Sequence, residues 1–360
     1  MKIFLKYLFI SGLSAILIMG CNRKKNEYIY SETFKELHGS LFIDEDHLKD
    51  PFTITTIDSF LIVGNLKGIP VIEIYDRFSG ELLCTFLRIG QGPLEVLALS
   101  QVQNINDDKK MIISDLFSRK MLMADKSKIG KDTVIIEPFF NFIDYDQDII
   151  AKIGKIAYLN DTYNIVTTID NNGRIGLLNK EEKSLSYFYP FTDSEVLFPE
   201  LDSYRNNNLF SSDMTICKEN NRIAFSTHMA DMLYIYEYSD DKLIPVWHHK
   251  TFLPNGIKLL TFENTPPQAF FTDKSLVGYL DITSSAKNVY ALFVGISNEE
   301  GDTSYTNRIR VFNWEGENRF EIRTNYPLKR IAVDKDDQFL YGISKKDEVI
   351  IIRFSLKDLK

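Results

Sequence analysis

Short apolar runs recur along this chain in groups of four, and the groups repeat about every 50 residues, a period that belongs to repeat architectures. The first group comprises Phe52–Ile54, Phe60–Val63, Val71–Tyr75 and Leu82–Phe86. The fourth comprises Met214–Ile216, Arg222–Phe225, Met232–Tyr236 and Leu243–Trp247. The runs are rich in Phe, Tyr, Ile and Val, which suit a pleated, half-buried surface. No long segment keeps a 3.6-residue period, so the runs read as strands. Turn residues fall at matching places. Asn160-Asp161, Glu219-Asn220-Asn221 and Asp334-Lys335-Asp336-Asp337 separate first from second strands. Ser79-Gly80, Ser239-Asp240-Asp241 and Glu315-Gly316-Glu317 separate third from fourth.

Six groups fit between Phe52 and Ile352. Radially repeated sets of four strands make a propeller, so the expected fold class is all-β, a six-bladed β-propeller. In the second group the fourth strand is read at Thr133–Ile136. The sixth group stops at three strands, ending in Val349–Ile352. An open sheet edge is an aggregation hazard. Ser40–Ile43, upstream of the first group, is therefore expected to join the last blade and close the ring with an N-terminal strand. Two connections are long for a compact domain: 190–210 after the third group and 251–275 after the fourth. Both lead from an outer strand to the next inner strand, so both should share one face.

Ahead of the repeat the character changes. Lys2 and Lys6 precede an almost uncharged apolar run from Tyr7 to Gly20. A helix needs about 20 apolar residues to cross a bilayer comfortably, and this run has instead the form of a signal peptide. Ile18-Met19-Gly20-Cys21 has the form of a lipobox, whose cysteine is acylated and becomes the new N-terminus. An ordinary leader with a coincidental cysteine is the alternative. The expected organisation is a signal peptide over 1–20, a lipidated flexible tether over 21–33 and the propeller over 34–360. Membrane lipid, reached through acylated Cys21, is the first expected partner, since two or more acyl chains anchor stably.

Loss of Lys2 and Lys6 with the leader leaves 40 basic against 50 acidic side chains. That balance argues against nucleic acid as a partner, which needs a basic face. Cys84 and Cys217 lie in apolar runs. Buried thiols are the plainer reading, and a disulfide between them stays open. No CxxC or HExxH spacing marks a metal site, so no metal and no cofactor is expected.

Leu87-Arg88-Ile89-Gly90-Gln91-Gly92-Pro93-Leu94-Glu95 resembles the G-x-G-P-x-E turn of the TolB-like six-bladed propeller lipoproteins of Bacteroidota. Val277–Ile282 with Asn288–Leu292 resembles their fifth-blade signature. Asn307–Gly316 resembles their I-x-V-F-D-W-x-G segment, with Asn313 in place of the usual Asp. The resemblance spans nearly the whole chain beyond the leader. It implies a six-bladed ring and says little about activity. Surface-exported lipoproteins of that group often carry acidic residues just after the acylated cysteine. Arg23-Lys24-Lys25 is basic here, which implies anchoring at the outer membrane, facing the periplasm.

Gly90, Gly92, Pro93 and Glu95 read as a tight connection between adjacent blades, with Glu95 bonding the turn's backbone. The stretch lacks the Lys-Ser/Thr of a phosphate loop and opens no helix. Asp44-Glu45-Asp46-His47, Asp170-Asn171-Asn172-Gly173 and the Asp334 cluster read as solvated turns. Calcium takes about six to eight converging oxygens, and Phe339 stands where a calcium loop needs its glycine. No GxSxG is present and no Ser/His/Asp set can be picked by position, so no catalytic residue is assigned. In a propeller the second-to-third turns and the connections between blades open on one face around the channel, where pockets form. Lys67, Gln91, Arg119, Lys120, His228, Tyr305 and Lys345 fall there and are the candidate ligand contacts. Each taken alone also reads as an ordinary solvated loop residue.

A complete propeller without a catalytic constellation reads as a non-enzymatic binding or scaffolding module of the envelope, taking a glycan, peptide or protein. The alternative is a hydrolase or lyase on a sugar or lactone, which requires carboxylates converging at the channel mouth. A structural accessory of a membrane complex is a third reading.

Overall fold

A computed structural model describes residues 34–359, apart from 67–69, 106–108, 116, 118, 119, 132, 144 and 171. The expected leader and the whole of the expected tether, Cys21 included, together with Lys67 and Arg119, lie outside the described residues.

Two short strands come first, β1 (Phe34–Leu37) and β2 (Gly39–Ile43). Blade I follows as β3 (Pro51–Ile57), β4 (Phe60–Asn65), β5 (Ile72–Asp76) and β6 (Leu82–Phe86). Blade II is β7 (Leu99–Asn104), β8 (Lys110–Asp115), β9 (Lys120–Asp125) and β10 (Ile136–Asn141). Blade III is β11 (Ile153–Tyr158), β12 (Tyr163–Asp170), β13 (Gly173–Asn179) and β14 (Ser184–Phe188). Blade IV is β15 (Ser212–Cys217), β16 (Arg222–Thr227), β17 (Met232–Ser239) and β18 (Lys242–Lys250). A hairpin, β19 (Ile257–Leu260) and β20 (Gln268–Phe271), sits in the next connection. Blade V is β21 (Tyr279–Ser284), β22 (Asn288–Phe293), β23 (Thr306–Asn313) and the first part of β24 (Asn318–Val333). Blade VI takes the last part of β24, then β25 (Phe339–Lys345), β26 (Val349–Ser355) and β2.

Each blade is an antiparallel meander, and the ring is closed by both chain ends. β2 pairs antiparallel with β26, setting Leu41 opposite Ile352 and Ile43 opposite Ile351. β1 adds a parallel pairing to β24, Phe34 opposite Glu321. Two details differ from the sequence reading. Arg319–Ile322 and Arg330–Val333 belong to one 16-residue strand, which serves as outer strand of blade V and inner strand of blade VI. The fourth strand of blade II is Ile136–Asn141, not Thr133–Ile136. A 3-10 turn over Lys126–Lys128, capped by the Asp125 side chain, delays the strand. Pro138 disguises it, since proline is tolerated in a strand only at an edge, where no ladder N–H is required.

One apolar cluster fills each of the six seams. Ile62, Ile74, Val102 and Ile113 pack between blades I and II. Ile112, Met121, Ile156 and Val166 pack between II and III, and Ile165, Leu177, Ile223 and Phe225 between III and IV. Corresponding clusters fill the IV–V, V–VI and VI–I seams. The second strands are therefore buried on both faces; Leu61, Ile62 and Val63 are 0–1% exposed. Each such side chain contributes about 1.5–3 kcal/mol by leaving water, and the full burial explains why these runs are continuously apolar rather than alternating.

The meander fixes two faces. Inner strands start on a loop face, which carries the connections between blades and the second-to-third turns. They end on a turn face, which carries the first-to-second and third-to-fourth turns. The two long connections lie on the loop face. The first includes helix Ser203–Asn208, and Phe191, Phe198 and Phe210 from it pack with Leu253, Ile257 and Ala269 of the second.

Candidate binding site in the axial channel

All six inner strands line one axial cavity of about 100 Å³. Their shared register decides what faces it. Ile54, Val102, Ile156, Met214, Ile282 and Ile331 point into the seams and are buried. The residues just before them are Thr53, Gln101, Lys155, Asp213, Asp281 and Arg330. Side chains alternate along a strand, so these six form one ring layer. Thr55, Gln103, Ala157, Thr215, Thr283 and Ala332 form the next, two residues on. In five of the six blades the ladder slips just before or at the ring position: between Pro51 and Thr53, Leu99 and Gln101, Ile153 and Ile156, Tyr279 and Asp281, and Leu328 and Arg330. Such bulges re-aim a side chain, and here they set the polar residue inward while the seam residues keep their packing.

Four of the six ring positions carry charge, and they come from adjacent blades III to VI. Lys155 contacts the Asp213 carboxylate. The His228 Nε2 lies 2.9 Å from the other oxygen of Asp213 but is not aligned for a hydrogen bond. The Asp281 carboxylate accepts the Ile331 N–H at 2.7 Å, and Arg330 Nη1 donates to the Leu280 carbonyl at 2.7 Å. Burial, with the charges of Lys155 and Arg330, pushes His228 down to about 3 against the pull of Asp281, so the imidazole is neutral. Burial and Arg330 bring the Lys155 ammonium down to about 8, opposed by Asp281. Burial raises Asp281 despite Arg330 beside it.

His228 is held by both long connections. Its N–H donates to the Ser211 carbonyl at 2.9 Å, and its carbonyl accepts the Gly278 N–H at 2.6 Å. A Cβ on Gly278 would lie 1.9 Å from the Ala230 carbonyl oxygen, so only glycine allows this approach. The first connection is latched by Arg174, whose guanidinium bonds Glu195 at 2.6 Å and the Tyr234 hydroxyl at 3.1 Å and lies over the Phe191 ring. Under this latch, between blades III and IV, lies a second cavity of about 170 Å³, which shares Lys155 with the channel.

The other described sequence candidates are not brought to this cluster. Lys120 is buried and donates to the Gly92 carbonyl at 2.6 Å, so it clamps the turn. The Glu95 carboxylate accepts the Gly92 N–H at 2.8 Å and occupies the space a Cβ on Gly90 would need. Gln91 lines a separate cavity of about 450 Å³ with Lys120 and Ile143. Tyr305 lines another, with Arg308 and Asn325. Lys345 is exposed at the end of β25. Loop residues in a propeller are spread over the rim, and of the described candidates only His228 reaches the ring layer, beside Asp213. Lys155, Asp213, Asp281 and Arg330 were missed. Their signal was a charged residue standing at the same step of four inner strands, directly before the seam-facing residue.

Cys84 and Cys217 are free thiols. Among the described residues no three His, Cys, Asp or Glu side chains group to hold a metal, and no helix is long and apolar enough to cross a membrane.

The TolB-like 6-blade propeller-like family profile matches residues 30–336. The chain belongs to that family. The fold of this TolB-like propeller is similar to that of a DUF4221-family protein from Bacteroides vulgatus, with a TM-score of 0.54, 11% identity, and coverage of 90% of this chain and 96% of that one. It is also similar to a Bacteroides fragilis protein named "Putative exported protein", with a TM-score of 0.53, 10% identity, and coverage of 90% and 97%. Raptor from Chaetomium thermophilum gives 0.50 at 10% identity, with 29% of its length covered. At such identities the likeness is one of fold. No curated protein matches the chain in sequence.

Proposed function

We propose that this TolB-like propeller is an exported, lipid-anchored binding module that takes a polar ligand, a glycan or peptide segment, at the loop-face mouth of its channel. The observation that carries this reading is the set of Lys155, Asp213 and Asp281 lining the axial cavity, with Arg330 bonded to the Leu280 carbonyl beside them and neutral His228 against Asp213. Charged groups of both signs inside a narrow cavity are costly to bury for stability alone, and they offer donors and acceptors to a polar chain. The lipobox at Cys21 supports anchoring, and Arg23-Lys24-Lys25 supports the periplasmic side of the outer membrane. The test is a glycan array and a pull-down from solubilised envelope with the mature protein. Binding should be lost in Lys155→Met and Asp213→Asn while unfolding midpoints hold. A binding profile identical in wild type and both variants removes the reading. Cys21→Ala should abolish palmitate labelling and move the protein to the soluble fraction.

One observation favours a second reading, a hydrolase or lyase on a sugar or lactone. Asp281, raised by burial, and Asp213, paired with Lys155, line the same cavity, and acid–base work on a sugar uses two such carboxylates. Turnover of a lactone or glycoside panel that Asp281→Asn abolishes would support it; no turnover in wild type removes it.

A further inference from the structure

The channel also opens on the turn face, where the ends of the inner strands of blades I, II, IV, V and VI surround a polar cavity of about 390 Å³. Its charges are not evenly satisfied. Asp58 is tied to the Lys126 ammonium at 2.7 Å, and Asn104 accepts from the same ammonium at 2.7 Å. Asp334 is tied to Arg77 at 2.6 Å. Glu219, the remaining carboxylate of the wall, is exposed and accepts from the Cys217 thiol. Lys218 is different. Its Nζ is buried, meets no hydrogen-bond acceptor among the described residues, and rests 4.6 Å from the centre of the Tyr158 ring. A cation–π contact attracts an ammonium but satisfies none of its donors as an oxygen acceptor does. Leaving a buried charged donor unmade is costly. Beside it, Gln103 uses its side-chain oxygen to accept the Tyr158 N–H at 2.8 Å, which leaves its NH₂ as the group free to donate. The Thr215 and Ser284 hydroxyls meet at 2.8 Å on the same wall, and exposed Lys335 stands at the rim.

We propose that the turn-face mouth binds a small oxyanion, a carboxylate or phosphate group, which the Lys218 ammonium takes with help from Gln103. The acceptor that Lys218 lacks is the defining feature of such a ligand. Reaching it needs only a swing of the flexible lysine stem away from the Tyr158 ring into the cavity. Burial brings Lys218 down to about 8, opposed by the charges of Glu219 and Asp161 and helped by Lys126, so the ammonium form is still available to pair with an anion. The inference is independent of the site proposed on the loop face.

The test is calorimetric titration of the mature protein with succinate and, separately, with inorganic phosphate. At least one should bind saturably, and comparing the two says which source of oxyanion the site prefers. Lys218→Met should weaken binding about tenfold or more, the worth of one charge-assisted hydrogen bond. Lys155→Met should leave it unchanged, so that failure here is separable from failure at the loop face. Should Lys218→Met not fold, lysine acetylation of wild type read by mass spectrometry decides. The preferred anion should protect Lys218 and leave exposed Lys109 and Lys345 unchanged. Absence of saturable binding by both anions, equal affinity in Lys218→Met, or no protection of Lys218 overturns the proposal.

Discussion

Arg77 Nη1 stands 2.6 Å from the Asp334 carboxylate across the seam between the first and the last blade, with both side chains buried. Asp334 also accepts the N–H groups of Gln338 and Phe339, at 2.8 and 2.9 Å, and the Tyr341 hydroxyl donates to the Arg77 carbonyl at 2.6 Å. The pair joins residues 257 apart in sequence, where the ring must be fastened. Removing one partner leaves a buried charge uncompensated. Arg77→Ala or Asp334→Ala should therefore cost about 3–5 kcal/mol, read as a fall in the urea midpoint. A double-mutant cycle with no coupling would show that the pair is incidental.

The β2 strand should be as necessary as the ion pair. Without it β26 is left with a row of unpaired backbone groups, an invitation to edge-to-edge association. Deleting residues 34–43 should give oligomers or aggregate on size-exclusion chromatography. A monomeric deletion variant with unchanged melting would mean that the ring holds without its N-terminal strand.

Gly278 is where the second long connection meets the His228 turn. Gly278→Ala forces a methyl group into the Ala230 carbonyl. The expected cost is about 1–3 kcal/mol, the range for overpacking. Thermal unfolding measures it, and ligand binding at the loop face should weaken with it because His228 shifts.

The histidines should titrate apart. His47, exposed and bonded to Asp44, is raised above the ordinary imidazole value by that bond and charge. His228 is pushed down to about 3, and Asp213 beside it is already engaged by Lys155. Imidazole NMR signals between about pH 8 and 5 should show His47 titrating and His228 still. A His228 midpoint near the ordinary value would contradict the buried, neutral ring.

Asp231 sets an acid limit. Burial acts to raise it, but His249, Arg310 and Thr251 around it hold it well below the usual carboxylate range. A depressed carboxylate stabilises the fold fully above its unfolded value of about 4 and loses that contribution as pH falls toward the folded value. Asp231→Asn should thus be less stable than wild type at neutral pH. The two stability curves should converge below about pH 4; parallel curves down to acid would refute the assignment.

The architecture was largely legible from periodicity. Runs such as Phe60–Val63 are continuously apolar because the second strand of every blade is covered on both sides, and that burial is local enough to show as a pattern. The turn chemistry was equally plain: Asp337 and Gly316, set between the runs, both adopt positive φ. Where reading failed, a local rule met a tertiary exception. The outer strand of blade II starts only at Ile136 and carries Pro138 at an edge that needs no donor, and β24 runs on between two blades where two strands were expected.

By itself the sequence determined that the chain is a ring of six four-stranded blades, because strand period, turn residues and blade period are each set by neighbours along the chain. It also marked the chain end that would close the ring. Only the tertiary structure decided which polar residues meet at the axis. Lys155, Asp213, Asp281 and Arg330 stand in four different blades, and whether each points inward depends on the pleat of its own strand and, for all but Asp213, on a bulge beside it. Charges so far apart in sequence become neighbours only when the ring shuts, so no linear pattern specifies their pairing.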